Sequence, residues 1–415
     1  MPTPVRPSRQ YQRVLVGLLS LNFGILFFDR QALNFLMPYV QPDLHLNNTQ
    51  VGMLSSALSL TWAIAGFLVG RLSDRTGMRK PIILVATVAF AACSFISGIA
   101  SSFLMLMGAR LLMGAAEGGV LPISQSLIAE EVDPERRGLA MGITQNLGSN
   151  LLGSSAAPLL LVPLAIAFGW RSAFFLAAAP GLFMAAMIWM FVREPAPHAH
   201  AQPGIARDRL SLASAFAERN IVLCALIAIL LVSYLVICWA FMPLFLTQVR
   251  HFDPKVMSWL MATLGISAGV GSILVPGLSD RIGRKPVMIA IPLIGVILPL
   301  GALYFGGSTW LLAAIFFVGW MLNGVFPLFM ATIPSETVDP RHTATALGIV
   351  MGIGEVLGGV FGPSIAGAAA DRFGLQAPLW MMFGFCITAG LLAFGLKETA
   401  PRVLARRAGL VVAAA

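Results

Sequence analysis

Apolar residues do not alternate with polar ones along this chain; they continue in long unbroken stretches. Such runs fall near 14–38, 51–70, 82–99, 103–128, 138–161 and 172–192, and resume after a polar interval near 221–247, 256–278, 287–306, 309–333, 343–369 and 378–396. The hydrocarbon core of a bilayer takes about 20 apolar residues per helical crossing, so each run predicts one span. In lipid, backbone polar groups must be bonded within a helix or around a closed barrel. Barrel strands alternate their lipid-facing and lumen-facing residues, and these runs do not. The pattern predicts an all-α membrane protein with twelve transmembrane helices.

The polar interval divides the spans six and six. It contains the sequence REPAPHAHAQPGIARDR, rich in Pro, Ala, Gly and charge, and reads as a flexible linker. The expected organisation is an N-terminal six-helix bundle over 1–192, a cytoplasmic linker over 193–219, a C-terminal six-helix bundle over 220–400 and a cytoplasmic tail over 401–415. The two halves repeat. GRLSDRTGMRKP (70–81) is echoed by PGLSDRIGRKP (276–286), pairing Asp74 with Asp280 at an offset of 206. GAAEGGVLP (114–122) is echoed by GWMLNGVFP (319–327), and EVDPERRGLAMGI (131–143) by ETVDPRHTATALGI (336–349), at nearly the same offset. Both copies cross in the same direction, which makes this a parallel duplication.

Composition agrees: 58% of the 415 residues are hydrophobic, 11% are charged, and the mean hydropathy is +0.84. The net charge of +9 would suggest nucleic acid in a soluble protein. Here its placement explains it. With the N-terminus inside, 21 of the 27 Lys and Arg residues fall in cytoplasmic segments, which is the bias that sets membrane topology. Both termini are then cytoplasmic. The basic start MPTPVRPSRQYQR is followed by no small-residue cleavage site, so the first run reads as span 1 rather than a signal peptide. Compact loops favour a bacterial inner membrane. Cys93, Cys224, Cys238 and Cys386 all sit inside apolar runs without metal-binding spacing, so neither disulfides nor a metal is expected. His198 and His200 in the linker read as surface residues.

Five ionisable residues interrupt the spans: Asp29 and Arg30 in span 1, Arg110 and Glu117 in span 4, and Glu355 in span 11. A charge at mid-helix costs about 2.5–3.5 kcal/mol on insertion scales and normally faces a cavity or a partner. At the helical rise, Asp29 lies about 24 Å along span 1 from Arg13, Glu117 about 21 Å along span 4 from Phe103, and Glu355 about 20 Å along span 11 from His342. All three depths fit mid-membrane. Arg110 and Glu117 are two turns apart on one face. A guanidinium stays charged and matches a carboxylate bidentately, whereas a carboxyl group can take up and release a proton. Arg30 and Arg110 therefore read as anion anchors, and Asp29 and Glu117 as proton carriers; mutual neutralisation that only fixes helix packing is the competing reading. Glu355 is a candidate third proton site, with binding of a polar part of the substrate or a plain interhelical hydrogen bond as alternatives. Asn146, Tyr234 and Asn323 are candidate pocket residues, since deep polar side chains serve either binding or interhelical bonding.

The paired loop motif, close to G-x-L-x-D-R-x-G-R-K, resembles the signature of the major facilitator superfamily. The first copy departs at Met78, the second at Pro276. The resemblance covers essentially the whole chain. It implies two bundles around a central cavity that opens alternately to each side, with spans 1, 4, 7 and 10 lining the cavity and spans 3, 6, 9 and 12 facing lipid. It also implies that Asp74, Arg75, Asp280 and Arg281 gate the cycle through ion-pair networks. Asp29-Arg30 together with R-L-L-M-G-A-A-E-G (110–118) is similar to the anion:cation symporter branch, which includes sugar-acid permeases and sialin-type carriers. In that branch the matching arginines hold the substrate carboxylate and the matching acids couple protons. Glu355 departs from the branch pattern. The expected function is proton-coupled uptake of a small carboxylate or sugar acid by a monomer, with the proton gradient as driving force and no cofactor. The alternative is proton-driven efflux of drugs or metabolites. No nucleotide loop, metal cluster or nucleophile–histidine pair points to an enzyme.

Overall fold

A computed structural model describes residues 8–133, 136–195, 217–339 and 342–407. Most of the linker, with His198 and His200, and the end of the tail lie outside the described residues. Twelve helices are long and apolar enough to cross a membrane: α1 Arg9–Asp43, α2 Asn48–Thr76, α3 Lys80–Gly98, α4 Phe103–Glu131, α5 Arg137–Phe168, α6 Trp170–Phe191, α7 Arg219–Val249, α8 Pro254–Ile282, α9 Arg284–Tyr304, α10 Thr309–Thr337, α11 Thr345–Phe373 and α12 Gln376–Ala393. A short helix, α13, follows at Pro401–Arg407. The described residues contain no strand. Most helices outrun their apolar runs because their polar end turns continue past the hydrocarbon core.

Two compact units form. One comprises 1–46, 57–203 and 253–265; the other comprises 47–56, 204–252 and 266–415. They follow the two halves of the duplication except for an exchange: the start of α2 belongs with the second unit, and the start of α8 with the first. The exchanged pieces begin at 47 and 253, again 206 apart, so the exchange obeys the repeat.

In the first unit α3 packs against α6 and α4, and α1 against α5 and α6. Its core is built from Leu15, Leu19, Phe23 and Leu26 of α1, Phe90 of α3, Ile123 and Leu127 of α4, and Met184 and Ile188 of α6. In the second unit α7 packs against α11 and α12, and α9 against α12, with Leu231, Phe241, Phe329, Leu379 and Met382 buried. Backbones approach closely where α1 crosses α5. A Cβ on Gly148 would collide with the Ser20 carbonyl, and one on Gly24 would stand 2.7 Å from the Gly148 oxygen. Gly148→Val is expected to cost more than the roughly 1–3 kcal/mol usual for overpacking, because backbone rather than a side chain would have to yield. A melting curve in detergent would read this as little or no folded protein.

The turns of α5 and α11 widen to a π-helical spacing over Ser149–Ala156 and Gly354–Phe361. A proline stands just beyond each stretch, Pro158 and Pro363. A proline offers no N–H and its ring crowds the carbonyl four residues back, so the preceding backbone loses its regular bonding.

In the second unit, the first turn of α2 is closed by two devices. Asn47 and Gln50 form a reciprocal capping box, with Gln50 N donating to Asn47 Oδ1 (2.8 Å) and Asn47 N to Gln50 Oε1 (3.0 Å). Asp371, near the end of α11, accepts the next orphan donors: Asn48 N at 2.9 Å, Thr49 N at 2.8 Å and Thr49 Oγ1 at 2.5 Å. A carboxylate on a helix N-terminus satisfies free N–H groups and complements the helix dipole.

Candidate functional site

Two polar rungs join α1 to α3 inside the first unit. Thr87 shares its hydroxyl proton between the Ile83 carbonyl (2.8 Å) and Asn22 Oδ1 (3.2 Å), and seven residues further along both helices Ser94 donates to Asp29 Oδ1. All four side chains are fully buried. The family resemblance assigned α3 to lipid. One face does so, with Val85, Val88 and Phe95 exposed, while the other carries these hydroxyls to α1.

Arg110 and Glu117 of α4 are buried in the same unit, at 2% and 0% exposure, as is Asp29 at 0%. Arg110 Nη1 donates to the Arg30 carbonyl (3.3 Å) and lies 3.4 Å from the Met113 sulfur. Its Nε and Nη2, both Glu117 oxygens and Asp29 Oδ2 have no partner. Asp29, Arg110 and Glu117 are near enough to act on one another electrostatically. No ion pair within 4.0 Å joins any two of them among the described residues. The competing reading, in which Arg110 and Glu117 neutralise each other directly, therefore lacks its bond. The Nε–Nη2 edge is one that donates two parallel N–H bonds to a carboxylate, and it is buried without a partner among the described residues.

The sequence R-L-L-M-G-A-A-E-G explains how Glu117 reaches this position. A Cβ on Gly118 would stand 2.7 Å from Gly66 N and 2.9 Å from Ala65 Cβ, and one on Gly114 would collide with Leu58 and Thr61. The two glycines let α4 lie directly on α2 with Glu117 between them. From α2, Trp62 presents its ring to Arg30, whose guanidinium carbon lies 5.4 Å from the indole centroid and 5.5 Å from that of Phe27. Arg30 is half-buried and makes no ion pair among the described residues, so two aromatic faces, rather than a carboxylate in contact, hold this cation. The Trp62 indole N–H is buried and unpartnered.

The other candidates fall elsewhere. Asn146 is exposed on α5 and donates to the Gly142 carbonyl one turn back (3.3 Å). Tyr234 of α7 is buried in the second unit, donates to the Gly295 carbonyl (3.3 Å) and packs 5.9 Å from Trp320, which meets Trp239 edge-on at 5.2 Å. Asn323 is half-buried on a tight 3-10 turn in α10, and Glu355 is half-buried on the widened turn of α11.

Each loop motif builds a network inside its own unit, and its centre is one turn beyond the Asp-Arg pair. Arg79 reaches Asp74 (2.8 Å), Ser73 (2.8 Å) and Glu130 (3.1 Å). Arg284 reaches Asp280 (2.5 Å), Ser279 (2.6 Å) and Glu336 (3.0 Å). Burial opposes the Arg79 charge, but the Asp74 and Glu130 carboxylates outweigh it and hold its pKa above the ordinary value. Arg75 and Arg281 are exposed. Two glutamates that sequence reasoning passed over complete the networks. Glu194 accepts from Arg79 N (2.6 Å) and Lys80 N (2.8 Å); Glu398 accepts from Arg284 N (2.8 Å) and Lys285 N (3.2 Å). They cap α3 and α9, and the echo of REPA (193–196) in KETA (397–400) was the available signal.

Twelve spanning helices, a parallel duplication and buried charges within one repeat define a polytopic membrane carrier. The chain matches the Major Facilitator Superfamily model over residues 19–253 and 236–412, and it belongs to that family. It is a transporter, not an enzyme. It is 30% identical over 379 residues to a probable 4-methylmuconolactone transporter of Cupriavidus pinatubonensis, covering 89% of this chain and 86% of that one. It is 27% identical to the hexuronate transporter of Bacillus subtilis, covering 89% and 90%. Among solved structures, a bacterial homolog of the human lysosomal transporter Spinster, in an inward-facing and occupied conformation, superposes with a TM-score of 0.79 at 20% identity, covering 94% of this chain and 97% of that one. At that identity the likeness speaks for the fold alone.

Proposed function

We propose that this protein takes up a small organic anion, a carboxylate or sugar acid, by proton-coupled symport across a bacterial inner membrane, with both termini in the cytoplasm. The buried, unpartnered Nε–Nη2 edge of Arg110, in one unit with two carboxyl groups that also carry unpartnered oxygens, carries this reading. Arg30 receives the anion at the half-buried face of α1. Arg110 holds it as the unit rearranges during the transport cycle, and Glu117 and Asp29 carry the coupling proton. The relatives named above, one a hexuronate transporter and one a probable 4-methylmuconolactone transporter, support the substrate class. The Lys and Arg placement supports the orientation. The networks centred on Arg79 and Arg284, with Asp74 and Asp280, gate the cycle, while Asn146, Tyr234, Asn323 and Glu355 shape the remainder of the path.

The test is uptake into proteoliposomes under an imposed pH gradient, screened over hexuronates, simple monocarboxylates and ring-bearing acids. Accumulation driven by an alkaline interior and abolished by a protonophore is the expected result. Export driven by the opposite exchange would overturn symport in favour of efflux, and transport of no organic acid would overturn the substrate class.

A further inference from the structure

Where α1 begins, the first unit has a hollow of about 320 Å³ between the first turns of α1 and the start of α5. Arg9 and Arg13 of α1 and Arg136 just before α5 surround it, and Val16, Leu139 and Ile143 supply apolar walls. Gln12 ties the two sides together by accepting from Asp133 N (3.3 Å).

The arginines of this hollow differ from most others in the unit. Arg79 is held by two carboxylates, Arg171 by Asp43, Arg137 by the Val132 carbonyl, and Arg193 stacks on Tyr11. Arg9, Arg13 and Arg136 are exposed and, among the described residues, none of their guanidinium groups makes a hydrogen bond or an ion pair. The topology rule asks for cations on this side of the membrane. It does not ask three of them to converge on one concave surface with apolar walls. A small hydrophilic anion would satisfy the guanidinium groups and leave those walls bare, with Leu139 71% exposed. An anion carrying a hydrocarbon tail satisfies both.

We propose that this hollow is a binding site for an anionic glycerophospholipid. The guanidinium forks of Arg9, Arg13 and Arg136 hold the phosphate, and the first acyl carbons lie on Val16, Leu139 and Ile143. Basic pockets at the cytoplasmic ends of membrane helices suit anionic headgroups for this reason. The site is separate from the buried charges of α1 and α4 and does not depend on which anion is transported.

Gly17 gives a direct probe. It lies in the wall of the hollow, and a Cβ added there meets nothing within 4 Å. Gly17→Leu would therefore enter the hollow without a Cβ clash and leave all three arginines in the chain. The measurement is lipid retention by the full-length protein in native mass spectrometry, titrated with phosphatidylglycerol, phosphatidylethanolamine or glycerol 3-phosphate. The expected result is retention of phosphatidylglycerol at least about tenfold above phosphatidylethanolamine, lost in Gly17→Leu and in the triple variant Arg9→Gln, Arg13→Gln, Arg136→Gln. A melting curve in lipid-free detergent identifies any variant that fails to fold; should the triple variant fail, Gly17→Leu decides. Equal retention of the two lipids, or retention unchanged in a folded variant, would overturn the proposal. So would displacement of phosphatidylglycerol by glycerol 3-phosphate at similar concentration, since the site would then take the free anion without the tail.

Discussion

Arg110→Ala is expected to reduce uptake of the transported anion by at least about 25-fold, with the protein still folded. Removing one partner of a buried charge pair costs about 2–5 kcal/mol, and each 1.4 kcal/mol is tenfold in affinity. Arg110 is 2% exposed, and its single oxygen partner is a backbone carbonyl. Its loss removes the unpartnered fork edge and leaves Asp29 and Glu117 buried without the cation that offsets both. Arg110→Lys is expected to recover little, because an ammonium is a point charge and cannot present two parallel N–H groups to a carboxylate. Concentration-dependent uptake in proteoliposomes, beside a melting curve for each variant, makes the comparison. Wild-type kinetics in Arg110→Ala would remove this residue from the anion path.

Glu117→Gln is expected to separate binding from coupling. Both oxygens of Glu117 are without a partner, whereas Asp29 commits one of its own to Ser94. Of the two carboxyls, Glu117 is the freer to exchange a proton as its surroundings change. Glutamine keeps the shape and one acceptor but carries no exchangeable acid proton. Uphill accumulation under a pH gradient is expected to fall to the level of a de-energised vesicle, while exchange of internal for external substrate continues. Undiminished accumulation in this variant would assign coupling elsewhere, with Asp29 next in line.

Much of this arrangement can be read directly from the residues. Long apolar runs leave little choice but helices, and all twelve fall where the runs do. Arg110, Glu117 and Asp29 are conspicuous because a charge in such a run needs a reason, and the structure buries the three within one unit. Ser94 and Thr87 escaped notice for a physical reason: a hydroxyl in a transmembrane helix barely changes local hydropathy and can bond to its own backbone. Their seven-residue spacing, matched by Asn22 and Asp29, gains meaning only once α1 and α3 are known to be neighbours. Arg79 was legible as part of the motif, but the adjacent Asp-Arg pair drew attention to Arg75, which the helix turns away from its neighbouring aspartate. The widening of α5 and α11 depends on Pro158 and Pro363, whose effect falls upstream of themselves. The capping of α2 by Asp371 joins residues more than three hundred positions apart, which no local pattern can announce.

The traded segments at the starts of α2 and α8 bear on the ancestry of the chain. Each repeat lends about ten residues to the compact body built mainly from the other, and the loans sit at equivalent places. A gene encoding one repeat alone would have made a product whose own body lacked that piece, and two copies in the same membrane would have supplied it to each other. The same relation predicts how a severed chain behaves: fragments cut in the linker should be degraded when made singly and persist when made together.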